Sequence, residues 1–178
     1  MIEYKKVDGS FDLSGKSAVV VGGGGGIGGA TAAMYAKKGA NVAIVDCQDN
    51  VEEVAAELAP RFGVRTVGIK CDVTKQSDIE NTVQTVVNSL GEINILANMP
   101  GYVELESAES IGIDIVERHI AINAVGVFRM CQAVANQMMK QGKGGKIVCV
   151  TSQADFIAID KHVGYTMSKA ALVGMIKV

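Results

Sequence analysis

The stretch VVGGGGGIG, Val20 to Gly28, decides how the rest of this chain reads. Seven of the 21 glycines lie between positions 22 and 29, and glycine overall reaches about 12% of the 178 residues where about 7% is usual. The block follows an apolar, β-branched run, Ser17 to Val21, and opens a helix-like segment, Gly26 to Lys38. A glycine turn between strand and helix is where a dinucleotide pyrophosphate rests on free amide groups at the positive end of the helix dipole. Side chains there would stand in its way. Counting leaves the register open: GxGxxG fits Gly23, Gly25, Gly28 or Gly24, Gly26, Gly29, and GxxxGxG fits Gly22, Gly26, Gly28. A flexible glycine loop with no ligand is the competing reading.

Working outward, Asp46 ends the next strand candidate 18 residues after Gly28, where a carboxylate can accept hydrogen bonds from both hydroxyls of an adenosine ribose. It would repel a 2′-phosphate. No Arg or Lys lies in the glycine block or among Cys47, Gln48, Asp49 and Asn50, so nothing obvious neutralises the extra charge of NADP. NAD is therefore expected over NADP. The competing reading is that Asp46 merely starts a turn.

The same alternation continues along the chain. Strand candidates are Ser17 to Val21, Asn41 to Asp46, Arg65 to Lys70, Ile93 to Asn98 and Lys146 to Thr151, mostly continuous apolar runs of the kind buried on both faces of a parallel sheet. Helices are expected at Gly26 to Lys38, Asn50 to Arg61, Gln76 to Leu90, Ile113 to Gln141 and Val163 to Val178, with Gly39, Gly63, Gly91 and Gly142 as stops. The rhythm predicts an α/β fold, a Rossmann-type doubly wound parallel sheet in three layers, in one domain.

Composition narrows the partners. Lys and Arg number 17 against 19 Asp and Glu, a formal charge of −2, which offers no basic footprint for nucleic acid. Ser17 to Ala36 carries no charged residue over 20 positions, the length of a membrane span. Its glycines, each costing about 1 kcal/mol in a helix relative to Ala, argue against one. Cys47, Cys71, Cys131 and Cys149 form no CxxC pair and have no His at ligand spacing, so four buried thiols in a reducing compartment are expected, with no metal. The amino terminus, MIEYKKVDGSFDLSGK, lacks the apolar core of a secretory signal, and a cytoplasmic location follows as the expectation.

Tyr165 and Lys169 stand four apart, on one face of a helix. An ammonium near a phenol favours the phenolate, the shift needed to exchange a proton with an alcohol near neutral pH. Tyr and Lys at this spacing are also common on exposed helices. Ser152 changes the context, for it ends the fifth strand run, thirteen residues before Tyr165, and open α/β sheets bind ligands beyond such strand ends.

At this point the chain resembles the classical short-chain dehydrogenase/reductase family, from about Ser10 to its last residue. The matching motifs are VVGGGGGIG (Val20 to Gly28), Asp46, CDVT (Cys71 to Thr74), INAVGVF (Ile122 to Phe128) around Asn123, IVCVTS ending at Ser152, and YTMSK (Tyr165 to Lys169). The resemblance selects Gly22, Gly26 and Gly28 from the degenerate block. It implies cofactor contacts from Gly22, Gly26, Ile27, Gly28, Asp46, Asp72, Val73, Asn98, Gly101, Tyr165 and Lys169, with Asp72 at the adenine.

The resemblance also implies a mechanism. Tyr165 takes the alcohol proton as hydride passes to the nicotinamide, and Ser152 holds the substrate oxygen. Lys169 bonds the nicotinamide ribose and depresses the tyrosine pKa, while Asn123 positions a water linking Lys169 to solvent. From the residues alone, an Asn within a helix can equally face solvent or cap a local break.

Departures accompany the matches. Val21 stands where the family usually has Thr, and the usual NNAG appears as Asn98, Met99, Pro100, Gly101. A missing amide and an added proline remove hydrogen-bonding groups beside the adenosine ribose. Asp155 replaces a usual glycine, and Asp155, Asp160, Lys161 and His162 could line a polar pocket or be exposed loop charges.

The function expected is an NAD-dependent oxidoreductase acting on a secondary alcohol or ketone, with polyols among the candidates. The alternative is a dinucleotide-binding sensor or assembly partner without turnover, which would not need the set Asn123, Ser152, Tyr165 and Lys169. An epimerase or dehydratase of the related extended family would want a larger substrate domain. A homodimer or homotetramer is implied, built through Val127, Val134, Met138, Ala171 and Met175, although intramolecular packing accounts for each equally well. Measured against the family, the chain is expected to be a fragment, a truncated product or a sequence restricted to the ordered part, lacking the rest of the last helix, a sixth strand, a substrate-covering loop with its helix, and a seventh strand.

Overall fold

The computed structural model describes residues 11–178, so the amino-terminal part of the signal-peptide reading lies outside the described residues. Strands β1 (Ser17–Val21), β2 (Asn41–Asp46), β3 (Thr66–Lys70), β4 (Ile95–Asn98) and β5 (Lys146–Cys149) form one parallel sheet in the order β3-β2-β1-β4-β5. The chain runs outward from β1 to β3 and then returns to lay β4 against the other side of β1. That reversal opens a crevice at the carboxyl ends of β1 and β4, the ligand position in open α/β sheets.

Alternation within each strand sorts side chains into two layers. Ala18, Val20, Val42 and Ile44 pack with helices α1 (Gly26–Lys37) and α2 (Val51–Phe62) through Ala32, Ala36, Val51, Ala55 and Leu58. Val19, Val21, Ala43 and Val45 face the other way, onto Ile79, Val86 and Leu90 of α3 (Gln76–Leu90) and Met130, Val134 and Met138 of α5 (Val127–Gln141). Each fully buried Val or Ile contributes about 1.5–3 kcal/mol relative to exposure, which is why continuous apolar strands specify a covered sheet.

Four expectations are corrected. The single helix from Ile113 to Gln141 is instead α4 (Ile113–Ile120), a π-helical segment (Ala121–Gly126) and α5. The wider π turns re-aim the side chains they carry, here that of Asn123. β5 is not buried on both faces: it is a sheet edge among the described residues, and Ile147 and Val148 are exposed. Of the four thiols only Cys71 is buried; Cys47 is exposed, and Cys131 and Cys149 are intermediate. Val127, Val134 and Met138 belong to the intramolecular core, so they cannot form a subunit contact. Among the described residues no helix is long and apolar enough to cross a membrane.

Candidate active site

A cavity of about 680 Å³ occupies the crevice, within the size range of small-molecule sites. Its floor is the turn from β1 into α1. Gly22 and Gly23 donate their backbone N–H groups to the Val45 carbonyl at 2.8 and 3.0 Å, which bends the chain off the strand. Asp46 Oδ2 then accepts from the Gly24 N–H at 3.0 Å, and Asn50 Nδ2 donates to the Gly24 carbonyl at 2.9 Å. A Cβ on Gly28 would drive into the Gly22 carbonyl oxygen, whereas one on Gly29 would come no closer than 3.6 Å to the Gly23 carbonyl. Gly22 and Gly28 are therefore the close-packed pair, and the register that counting left open is fixed by backbone contact. Gly25 precedes α1 without a side-chain cap, and nothing lies within 4 Å of a Cβ at Gly25 or Gly26. The first amides of α1 thus face free space that a pyrophosphate fits.

At the end of the cavity beside β2 and β3, Asp46 and Asp72 are both lining residues. Asp72 Oδ1 accepts from the Thr74 hydroxyl at 2.7 Å and the Thr74 N–H at 3.0 Å. The hydroxyl bond is the leading cause that holds its carboxyl below the usual range. Each Asp46 oxygen has one protein partner, Gly24 N–H or Gln48 N–H, which leaves lone pairs for ribose hydroxyls.

At the other end stand Ser152, Tyr165 and Lys169, all lining the same cavity. Ser152 caps a three-residue helix (Gln153–Asp155): its Oγ accepts from Ala154 N–H at 3.2 Å, and its own N–H donates to Asp155 Oδ2 at 3.3 Å. The hydroxyl proton stays free to donate. Tyr165 and Lys169 lie on α6 (Val163–Met175), as the spacing predicts, with Lys169 Nζ 5.7 Å from the Tyr165 ring centre. Lys169 is buried and donates to the Val150 carbonyl at 3.0 Å. Burial pushes its pKa down, with Asp155 pulling the other way.

Asn123 is fully buried and does not face solvent. Its Oδ1 accepts from the Tyr102 N–H at 2.8 Å, and its Nδ2 donates to the Tyr102 carbonyl at 2.8 Å and to Ser168 Oγ at 3.0 Å. One turn earlier His119, also fully buried, places Nδ1 2.8 Å from the Ile115 carbonyl and Nε2 3.1 Å from the Glu104 N–H. A carbonyl only accepts, so Nδ1 carries the hydrogen and Nε2 accepts from Glu104. The imidazole packs on Tyr102 at 4.8 Å and edge-on to Tyr165 at 6.4 Å.

Of the residues named from sequence, Gly22, Ile27, Gly28, Asp46, Asp72, Val73, Gly101, Ser152, Tyr165 and Lys169 line the cavity. Gly26 lies between two lining residues. Asn98 does not reach it: its Nδ2 donates to the Val127 carbonyl at 2.9 Å and to Cys131 Sγ at 3.2 Å, so the amide ties β4 to α5. Asn123 acts behind the wall through Tyr102. Asp155, Asp160, Lys161 and His162 are not part of the lining.

Sequence reasoning missed Tyr102 and Arg118, which line the cavity with the guanidinium 4.4 Å over the Tyr102 ring. Neither carries a motif. The only available signal was the i,i+4 spacing of Arg118 and Ile122 on one helical face.

The family model for short chain dehydrogenases matches residues 16–178. An NAD-dependent glycerol dehydrogenase from Listeria innocua is 40% identical over 175 residues, covering 98% of this chain and 67% of that protein. A D-threitol dehydrogenase from Mycolicibacterium smegmatis is 41% identical over 173 residues, covering 97% and 66%. A crystal structure of a short-chain type dehydrogenase/reductase from Mycobacterium marinum superposes with a TM-score of 0.89 at 35% identity, covering 94% of this chain and 68% of that one. The chain spans about two thirds of the length of the curated relatives it matches.

Proposed function

The chain belongs to the short-chain dehydrogenase family, and from that premise we propose that it carries the cofactor and catalytic sites of an NAD(H)-dependent polyol oxidoreductase. The observation that carries this reading is the continuity of one cavity from Asp46, past the glycine turn, to Ser152, Tyr165 and Lys169. A dinucleotide fits its parts: open α1 amides for the pyrophosphate, and a carboxylate with spare lone pairs for the ribose. Asp46 disfavours a 2′-phosphate by charge, so NAD(H) is preferred to NADP(H).

When bound, the nicotinamide supplies the hydride acceptor or donor. Tyr165 Oη takes the hydroxyl proton of the alcohol, or returns it to the carbonyl oxygen. Ser152 donates its free hydroxyl proton to the same oxygen and so orients it. Lys169 places a positive charge beside the phenol, which favours the phenolate, and holds the cofactor ribose. Asn123 is a positioning residue that fixes Tyr102 at the cavity wall; the one remaining lone pair of its Oδ1 is the acceptor left for a water.

Polyols are supported by the named activities of the glycerol and threitol dehydrogenase relatives. This reading includes a cytoplasmic setting and a homodimer or homotetramer. Phe128 and Met139, exposed on α5, replace Val127, Val134 and Met138 as candidate contacts. Light scattering after size exclusion tests the assembly.

The function is tested by following NADH absorbance as the full-length protein is offered glycerol, threitol and 2-propanol, each with NAD and NADP. Turnover of a polyol with NAD is expected. Turnover with NADP alone, or cofactor binding without turnover of any alcohol, overturns the reading, and the second result favours a dinucleotide-binding protein.

A further inference from the structure

We propose that Cys131 and Cys149 form a paired-thiol modification site which a hydroperoxide converts to an intramolecular disulfide. Neither thiol takes part in the mechanism above. Cys131 sits on α5 and Cys149 ends β5, with their sulfurs 3.5 Å apart. Both are partly buried and line a second cavity of about 480 Å³, together with Phe128, Ile147 and Met175. Closing to a disulfide of about 2.05 Å needs a sulfur displacement of roughly 1.5 Å.

The two sulfurs are unequal. Either thiol can donate to the other across the 3.5 Å gap, and Cys131 Sγ also accepts from Asn98 Nδ2 at 3.2 Å. These bonds favour the Cys131 thiolate and hold its pKa below the ordinary thiol value, whereas that of Cys149 is raised. Cys131 is thus the nucleophile and Cys149 the resolving thiol.

The Cys131 thiolate attacks the distal peroxide oxygen, the O–O bond breaks, and the alkoxide or hydroxide leaves. Cys131 is oxidised to the sulfenic acid, and the peroxide supplies the two-electron oxidant. The Cys149 sulfur then attacks Cys131, the S–S bond forms, and the sulfenic oxygen departs as water with the Cys149 proton. The change reaches the first cavity through one peptide bond, for Cys149 precedes Val150, whose carbonyl accepts from Lys169. Cys131 also bears on Asn98 at the end of β4.

The test uses Cys47→Ser protein, which removes the exposed thiol. After hydrogen peroxide, thiols titrated in denaturant are expected to fall from three to one. The mass should fall by two hydrogens, and a tryptic digest should join Met130–Lys140 to Ile147–Lys161. Three surviving thiols, or oxygen addition at Cys131 with Cys149 still free, overturn the site. Oxidation is further expected to weaken NADH binding severalfold, with dithiothreitol restoring it and Cys47→Ser/Cys149→Ser protein showing no such reversible change. Unchanged NADH binding in cross-linked protein overturns the coupling to Lys169.

Discussion

Asn123 holds Tyr102 by both of its backbone polar groups, accepting from the N–H and donating to the C=O at 2.8 Å each. A side-chain amide thus stands in for a strand neighbour across 21 positions of sequence and fixes the loop after β4 against the π-helical turn. Its second amide hydrogen reaches Ser168, whose hydroxyl donates to the Tyr165 carbonyl at 2.6 Å. The break in the long helix, the cavity wall and the helix bearing Tyr165 are joined at this one residue.

Asn123→Ala leaves these groups without partners in a buried setting. A loss of about 2 kcal/mol or more is expected in urea unfolding, since each unsatisfied buried group costs about 1–3 kcal/mol. A variant as stable as the parent protein would show that the clasp contributes nothing.

Gly28→Ala and Gly29→Ala should differ in sign. The first forces the new methyl into the Gly22 carbonyl, a backbone atom that cannot turn aside, so both Tm and NADH affinity should fall. The second adds a methyl in ordinary contact inside α1, and replacing a helical glycine gains up to about 1 kcal/mol. Thermal unfolding with a fluorescence titration of NADH reads both.

Gly164→Ala tests the support under Tyr165. A Cβ there would meet His119 Nδ1 at 2.9 Å, disturbing the buried imidazole that packs against Tyr165. The expected result is a stability loss of about 1–3 kcal/mol and a fall in kcat, with NADH affinity little changed. Loss of NADH binding with kcat preserved would place the effect elsewhere.

Tyr165→Phe keeps the ring and its contacts with His119 and His162 but removes the phenolic oxygen to which we assign the proton exchange. Turnover should drop at least about a hundredfold, the scale of general acid–base catalysis, while NADH still binds. Near-parental turnover would refute the acid/base role.

Thr74→Ala probes the depressed Asp72 carboxyl. A carboxyl whose folded pKa lies below its unfolded value adds stability above the unfolded value, and that stability is lost as pH falls through the folded one. Removing the Thr74 hydroxyl, the leading cause of the depression, should raise the Asp72 pKa toward the ordinary value. The stability that Asp72 adds above the unfolded value should then shrink, and the part of the acid limb that it supplies should flatten. Carbon-detected NMR titration of the Asp72 carboxyl measures the shift directly, and an unchanged midpoint would assign the depression to other groups.

The five strands, the glycine turn, Asp46 and the Tyr165–Lys169 pair were legible in the sequence because each depends on local chemistry. Apolar runs at strand length must be covered, glycine is required where backbone meets backbone, and a spacing of four puts two side chains on one helical face. The register of the glycine block was not legible from residues alone, since it depends on which Cα faces the Gly22 carbonyl. Nor were the π turn, the role of Tyr102, or the turning of Asn98 away from the cavity. Each depends on a partner more than twenty positions distant.

Pattern and charge carried the layer architecture, and they carried the expectations that Asp46 favours NAD and that Tyr165 and Lys169 share one helical face. Tertiary structure alone decided which side chains share one cavity and which two thiols come within 3.5 Å. It also turned Asn123 from a helix residue into a clasp. Such outcomes rest on long-range packing, in which a distance of an ångström or two separates a contact from mere proximity, and no local spacing rule encodes it.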